Sequence, residues 1–244
     1  MVEIGVLALR LALIVGLYAI LTAIWGAQGR RPALVRSSRQ AAYAVHALVA
    51  IAVLVLWRAL IIRDFSLEYV ASYSSSTLSL PYTMAALWGG QAGSLLFWVL
   101  ILTCMSTVVH LQNRERNAAL MPYVTATLMT VAVFFLALLV FITGPFERLP
   151  VPASEGADLN PLLQNYWMLI HPPSLYLGYV GCSVPFAFAI AALATGRLGD
   201  VWIRTTRRWT LFAWFFLTVG NILGARWAYE ELGWGGYWAW DPVE

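Results

Sequence analysis

No lysine occurs in this chain; all fifteen basic residues are arginine. Charge of either sign is scarce, at 11% of 244 residues, and 61% are hydrophobic. Globular domains carry roughly 25% charged and 45–50% apolar residues, so too few charges are present here to clothe a water-facing surface. The mean hydropathy of +0.73 agrees. Cysteine is nearly absent. Cys104 and Cys182 both fall inside apolar runs, which excludes a disulfide framework, a zinc site and a CxxCH haem-attachment sequence within the chain. Carboxylates are missing from the apolar runs, whereas transporters and ion-translocating subunits usually place relays there. A basic chain with a pI near 9 raises nucleic acid as a partner. The arginines lie in short segments between apolar runs, so the expected partner is a lipid bilayer and not nucleic acid.

A bilayer core needs about 20 apolar residues of helix. Six runs qualify: Ile4 to Trp25, Ala41 to Ile62, Tyr82 or Ser94 to His110, Tyr123 to Ile142, Trp167 to Thr195, and Thr210 to about Ala225. The expected fold is an all-α, polytopic transmembrane bundle over residues 1–225. A tryptophan-rich segment, 226–244, follows. The first run lacks a basic start and an A-x-A site, so it does not read as a cleavable signal. The fifth carries Pro172, Pro173 and Pro185, which predicts a kink or an interfacial start.

Arginine placement gives the orientation. The first, third and fifth connections hold ten arginines against two acids, Glu115 and Asp200. The alternate regions hold Arg63, Arg148 and Arg226 against ten acids. Both ends of the chain, with the longer loops 63–82 and 143–166, are therefore expected outside the cytoplasm. Function is expected on that outer face.

Tryptophan is over-supplied, with twelve residues. An aromatic belt at the interfaces accounts for Trp25, Trp57, Trp202 and Trp209. It accounts less well for Trp227-Ala-Tyr-Glu-Glu-Leu-Gly-Trp234-Gly235-Gly236-Tyr-Trp238-Ala-Trp240-Asp241-Pro242. Indoles offer rigid faces and glycines allow close approach, so this cluster suits a flat apolar ligand. A belt or a partner interface is the alternative. A second Trp-Gly-Gly, at Trp88-Gly89-Gly90, falls on the same outer face. It reads equally as small-residue helix packing by Gly89, Gly93 and Ser94.

The tail WGGYWAWDPVE resembles the WWD signature of haem-handling proteins in cytochrome c maturation, and most closely the CcmF family of large haem-attachment subunits. Four further stretches carry the likeness: Asp64 to Ser72, Trp88 to Trp98, Asp158 to Gln164, and His171 to Gly181. The family's usual Trp-Gly-Gly-His-Glu-Gly-Ser is altered here, with Gln91 and Ala92 in place of the polar pair. Because family members continue for several more spans, the chain reads as an N-terminal portion, with most haem-ligating histidines beyond Glu244.

The resemblance implies a subunit of the cytoplasmic (inner) membrane that holds haem at its outer face. It would promote thioether attachment to the CxxCH of apocytochrome c, as part of a haem lyase complex. Other maturation membrane proteins, a haem chaperone and thiol-handling subunits, are implied partners. Haem b is implied as substrate and as bound cofactor. The candidate haem-contacting residues are Trp234, Gly235, Gly236, Trp238, Trp240, Asp241, Trp88 and Arg226. Arg10, Arg58 and Arg63 serve as headgroup anchors or propionate partners. Asp241 reads as a structural acceptor or a helix cap. His46 and His110 read as packing or interfacial histidines. His171, the one histidine on the outer side, is either an axial ligand or a donor to a backbone carbonyl freed by the broken helix. The rival functions are a transporter and a structural assembly subunit without haem chemistry.

Overall fold

A computed structural model describes residues 1–231, and within them the chain is all-helical apart from one isolated antiparallel bridge. Helix α1 (Val2–Gln28) turns through Gly29 and Arg30 into α2 (Pro32–Ile61). Pro32 opens α2, where its missing N–H costs nothing. The two helices pack closely, and small residues dominate their buried positions, Ala8, Ala12, Ala19 and Ala23 on α1 and Ala41, Val45, Val49 and Ala52 on α2. Lipid tails give apolar helices no reason to leave them, so close backbone approach has to supply the association. Leu7, Ile14 and Leu21 recur at seven-residue spacing on the opposite side of α1 and stay exposed.

After α2 come two short helices, α3 (Glu68–Tyr73) and α4 (Leu80–Ala85), and a 3₁₀ turn over Ala86–Trp88. The spanning helices α5 (Gln91–Gln112) and α6 (Met121–Phe141) follow. The fifth span is two helices, α7 (Tyr166–Gly181) and α8 (Ser183–Thr195), joined at Cys182. Pro172 and Pro173 lie inside α7 without ending it. The break falls instead where Pro185 cannot offer the N–H that the Gly181 carbonyl would accept. Helix α9 (Val201–Glu231) returns along α7. A continuous core runs through α1, α2, α5, α6 and α8, with Leu56, Leu96, Leu102, Leu128 and Phe188 fully buried. Among the described residues six helical segments are long and apolar enough to cross a membrane, so the protein is a multi-pass helical bundle.

The helices outrun the apolar runs. Arg36 and Arg39 lie on the first turns of α2, not in a loop, and Arg204, Arg207 and Arg208 lie on α9. Arginine is a good helix former, so the backbone ladder continues through the interface after the apolar pattern stops. The third span starts at Gln91, because the residues from Tyr82 to Trp88 form α4 and the 3₁₀ turn. Helix α9 passes position 226 without a break and runs to Glu231.

Candidate functional site

The two long loops build one layer across an end of the bundle. Around the Leu67–Arg148 bridge, Glu68 N donates to Glu147 O at 2.9 Å and Leu149 N to Ser66 O at 3.0 Å. Further along, Ala157 N donates to Ala71 O at 2.7 Å and Asp158 N to Ser74 O at 3.1 Å. Asp158 takes a left-handed φ of 71°, which Asp tolerates better than most residues. Glu155 accepts from Ser76 N at 2.7 Å and from Gly156 N. These bonds to Ser76 hold its carboxyl below the usual carboxylate range. Arg148 reaches Glu3 at 3.3 Å, tying the start of α1 to the same layer.

Tyr69 organises the Trp-Gly-Gly turn from beneath. Its buried hydroxyl lies 2.9 Å from Ala86 O and 3.0 Å from Leu87 O, and accepts from Gly90 N at 3.1 Å. Burial pushes this phenol far above its ordinary pKa. A Cβ on Gly93 would collide with Leu87 O and the Tyr69 hydroxyl, and one on Gly90 with the Tyr73 ring. A Cβ on Gly89 would come within 2.9 Å of Leu159. All three glycines are therefore closely packed, against a turn and its neighbouring loops more than between two spanning helices. Ser94 adds a bond to Trp88 O at 3.0 Å.

Trp88 donates its indole N–H to Met168 O at 3.1 Å. That carbonyl lies four residues before Pro172 and so has no helical N–H to accept. Trp88 thus completes α7 where proline leaves it open. Its ring lies 5.3 Å from that of Phe97.

One turn on, His171 Nδ1 is 2.8 Å from Gly220 O on α9. A carbonyl only accepts, so Nδ1 carries a hydrogen, and in the neutral ring the lone pair is then on Nε2. The expected partner was a carbonyl freed within the broken helix. The carbonyl found belongs to the neighbouring helix, and of those the prolines free, Met168 O is occupied by Trp88. The α7–α9 contact is close because it is lined by glycine. A Cβ on Gly224 would sit 2.5 Å from His171 Cε1, and one on Gly220 would sit 2.9 Å from Leu175 Cα. Gly220 and Gly224 are spaced four apart on an apolar helix, the small-residue signature of close helix packing. They were overlooked in the sequence.

The far end of α9 is pinned to the start of α7. Asn165 caps α7 through Trp167 N at 2.8 Å and donates to Glu231 at 2.6 Å. Trp167 donates to Glu230 at 2.7 Å, and Trp227 to Leu162 O at 3.0 Å. Arg226 pairs with Glu230 at 2.8 Å and lies over the Trp167 and Tyr229 rings. A propionate at Arg226 would have to compete with Glu230.

Of the candidate residues, Trp88, His171 and Arg226 gather on this layer and the helix ends beneath it. Trp234, Gly235, Gly236, Trp238, Trp240 and Asp241 lie outside the described residues. Arg10 and Arg58 are exposed on α1 and α2, and Arg63 donates to Leu78 O at 3.2 Å. His46 and His110 are packing histidines: His46 meets Thr103 at 3.1 Å, and His110 meets Ser106 O at 2.6 Å and Thr125 at 2.8 Å. Trp57 and Trp209 do more than line an interface, since they donate to Met84 O and Gln112 at 3.1 and 3.2 Å. Tyr69 was not singled out in the sequence; its partners lie 17 to 21 residues away, beyond any local pattern.

Fold and layer together define a multi-pass helical membrane protein with one end organised by buried tyrosine, indole and histidine contacts. A family model described as Cytochrome C assembly protein matches residues 88–244. The chain belongs to that family. It is 46% identical over 239 residues to "Cytochrome c-type biogenesis protein CcmF" of Escherichia coli (strain K12), covering 98% of this chain and 36% of that protein. It is 44% identical over 224 residues to "Probable cytochrome c-type biogenesis protein NrfE" of the same strain, covering 92% and 41%. A solved structure titled "Cytochrome c Heme Lyase CcmF" superposes with a TM-score of 0.86 at 37% identity, covering all of this chain and 38% of that one. The chain thus spans little more than a third of the length of these relatives.

Proposed function

We propose that this chain forms part of a haem-attaching membrane protein of cytochrome c maturation. It handles haem at the face built by loops 63–82 and 143–166. That face lies outside the cytoplasmic membrane, as the arginine asymmetry supports. The observation that carries the reading is His171: Nδ1–H is held by Gly220 O, which leaves Nε2 as an acceptor. A metal-ligating histidine characteristically donates its other ring N–H to a carbonyl or carboxylate, fixing its tautomer and raising ligand basicity. Among the described residues Nε2 makes no hydrogen bond, and Gly224 leaves the ring room. One imidazole nitrogen held in this way would serve as a ligand to haem iron, with haem as the substrate.

In this reading the protein binds, orients and shields. His171 offers Nε2 to the iron, and the indoles 234, 238 and 240 offer apolar faces to the macrocycle. Asp241 supports them as an acceptor. Bound haem supplies the reactive vinyl groups. Each substrate thiol adds across one vinyl, sulfur bonding to carbon while the thiol hydrogen moves to the other vinyl carbon, so no protein nucleophile is required. Apocytochrome c is the acceptor, a haem chaperone and thiol-handling subunits are partners, and a resident haem b is a further bound group. The test is the Soret band of the full-length protein. His171→Ala should abolish or shift it, and an unchanged band would remove His171 from the iron.

A further inference from the structure

At the opposite, arginine-rich end lies a cavity of about 1600 Å³ between α2, α5, α7 and the start of α9. It exceeds the roughly 300–1,000 Å³ of clefts that hold small molecules. Its wall away from the arginines is mainly apolar, with Ala50, Leu100, Ile101, Met105, Leu177 and Phe212, and His46 is its polar member. Its mouth carries Arg114, Arg116, Arg204 and Arg208 against one lining carboxylate, Glu115. Arg204 is paired with Asp200 at 2.9 Å. Among the described residues the other three make no ion pair.

We propose that this cavity is a binding site for one anionic phospholipid. The phosphodiester lies at the arginine mouth and the acyl chains run down the apolar wall. The polarity of the cavity follows the polarity of such a molecule, with cations where the membrane interface would be and aliphatic side chains below. Guanidinium groups match phosphate oxygens in a two-pronged geometry, and basic pockets between spanning helices select anionic headgroups. A lipid without phosphate would leave the guanidinium groups unanswered, and a zwitterionic one would bring its own cation beside its phosphodiester and so leave the charge of the mouth unneutralised. A free anion would answer the guanidinium groups and leave the wall without an occupant.

The test uses the full-length protein, purified in mild detergent from vesicles of phosphatidylglycerol and phosphatidylethanolamine, with retained lipid counted by native mass spectrometry. One phosphatidylglycerol per protein should persist. Arg114→Gln, Arg116→Gln and Arg208→Gln together should cut its retention about tenfold. Leu177→Trp should cut it with the arginines intact. Arg30→Gln with Arg31→Gln, at the same end but outside the cavity, should leave it unchanged. Three results would overturn the proposal: an adduct kept by both cavity variants, equal retention of the zwitterionic lipid, or displacement by millimolar inorganic phosphate alone, which would mark a free-anion site. Absence of any adduct would mean that other parts of the protein fill the cavity, and would overturn it equally.

Discussion

At the end bearing the long loops, polar groups are answered by protein: Tyr69 by the Trp-Gly-Gly backbone, Trp88 by Met168 O, His171 by Gly220 O, Trp227 by Leu162 O. At the arginine-rich end the connections are short and most cations face outward. One end therefore has a shape defined by hydrogen bonds; the other has a field defined by charge. Fixed shape suits the presentation of a rigid ligand in one orientation. A charged collar suits topology and lipid.

That contrast can be broken from the shaped end first. Replacing Trp234, Trp238 and Trp240 with alanine in the full-length protein should abolish cytochrome c maturation while the protein stays in the membrane; normal maturation would discard the indole platform. Gly93→Ala should follow in severity. Its Cβ meets backbone and a buried hydroxyl, and overpacking of this kind costs about 1–3 kcal/mol or more, read as a lowered thermal midpoint. Tyr69→Phe removes the acceptor for Gly90 N–H and one donor, a loss of about 1–3 kcal/mol, measured the same way.

Sidedness sharpens the comparison without touching stability. In a background lacking Cys104 and Cys182, Ser79→Cys and Ser154→Cys should react with an impermeant thiol reagent on intact cells. Arg36→Cys and Arg204→Cys should not, and labelling at position 204 would invert the orientation. The smallest effect concerns pH. The folded-state pKa of Glu155 is depressed, so its contribution is present above the unfolded carboxylate pKa and fades as pH falls through the folded value. Glu155→Gln should flatten the acid side of the stability profile slightly, seen as a lower protease resistance of the loops in wild type alone when acidified.

The spans were legible because a bilayer imposes length and apolarity on each helix separately. Their ends were not, since Arg36 and Arg204 break the apolar pattern while extending the helix. For His171 the sequence left open an axial-ligand role and a bond to a carbonyl freed by the broken helix, and the carbonyl it meets is neither local nor freed: Pro172 frees Met168 O, Trp88 takes it, and His171 crosses to Gly220 O on α9. Gly220 and Gly224 carried a readable spacing that the tryptophans overshadowed. Tyr69 carried none, because what it holds is a turn folded back from the next segment.

Five of the nine described tryptophans, at 57, 88, 167, 209 and 227, donate their indole hydrogen to a carbonyl or carboxylate of the protein. Phenylalanine could match the apolar bulk of each but would remove the donor, stranding the part-buried acceptors of Trp57 and Trp88. Substitution tolerance at these positions should therefore follow hydrogen-bonding capacity and not hydrophobicity. In exchange terms, the part-buried indole hydrogens of Trp57 and Trp88 should trade with deuterated solvent far more slowly than that of the exposed Trp25, giving a readout of whether that end of the bundle is closed.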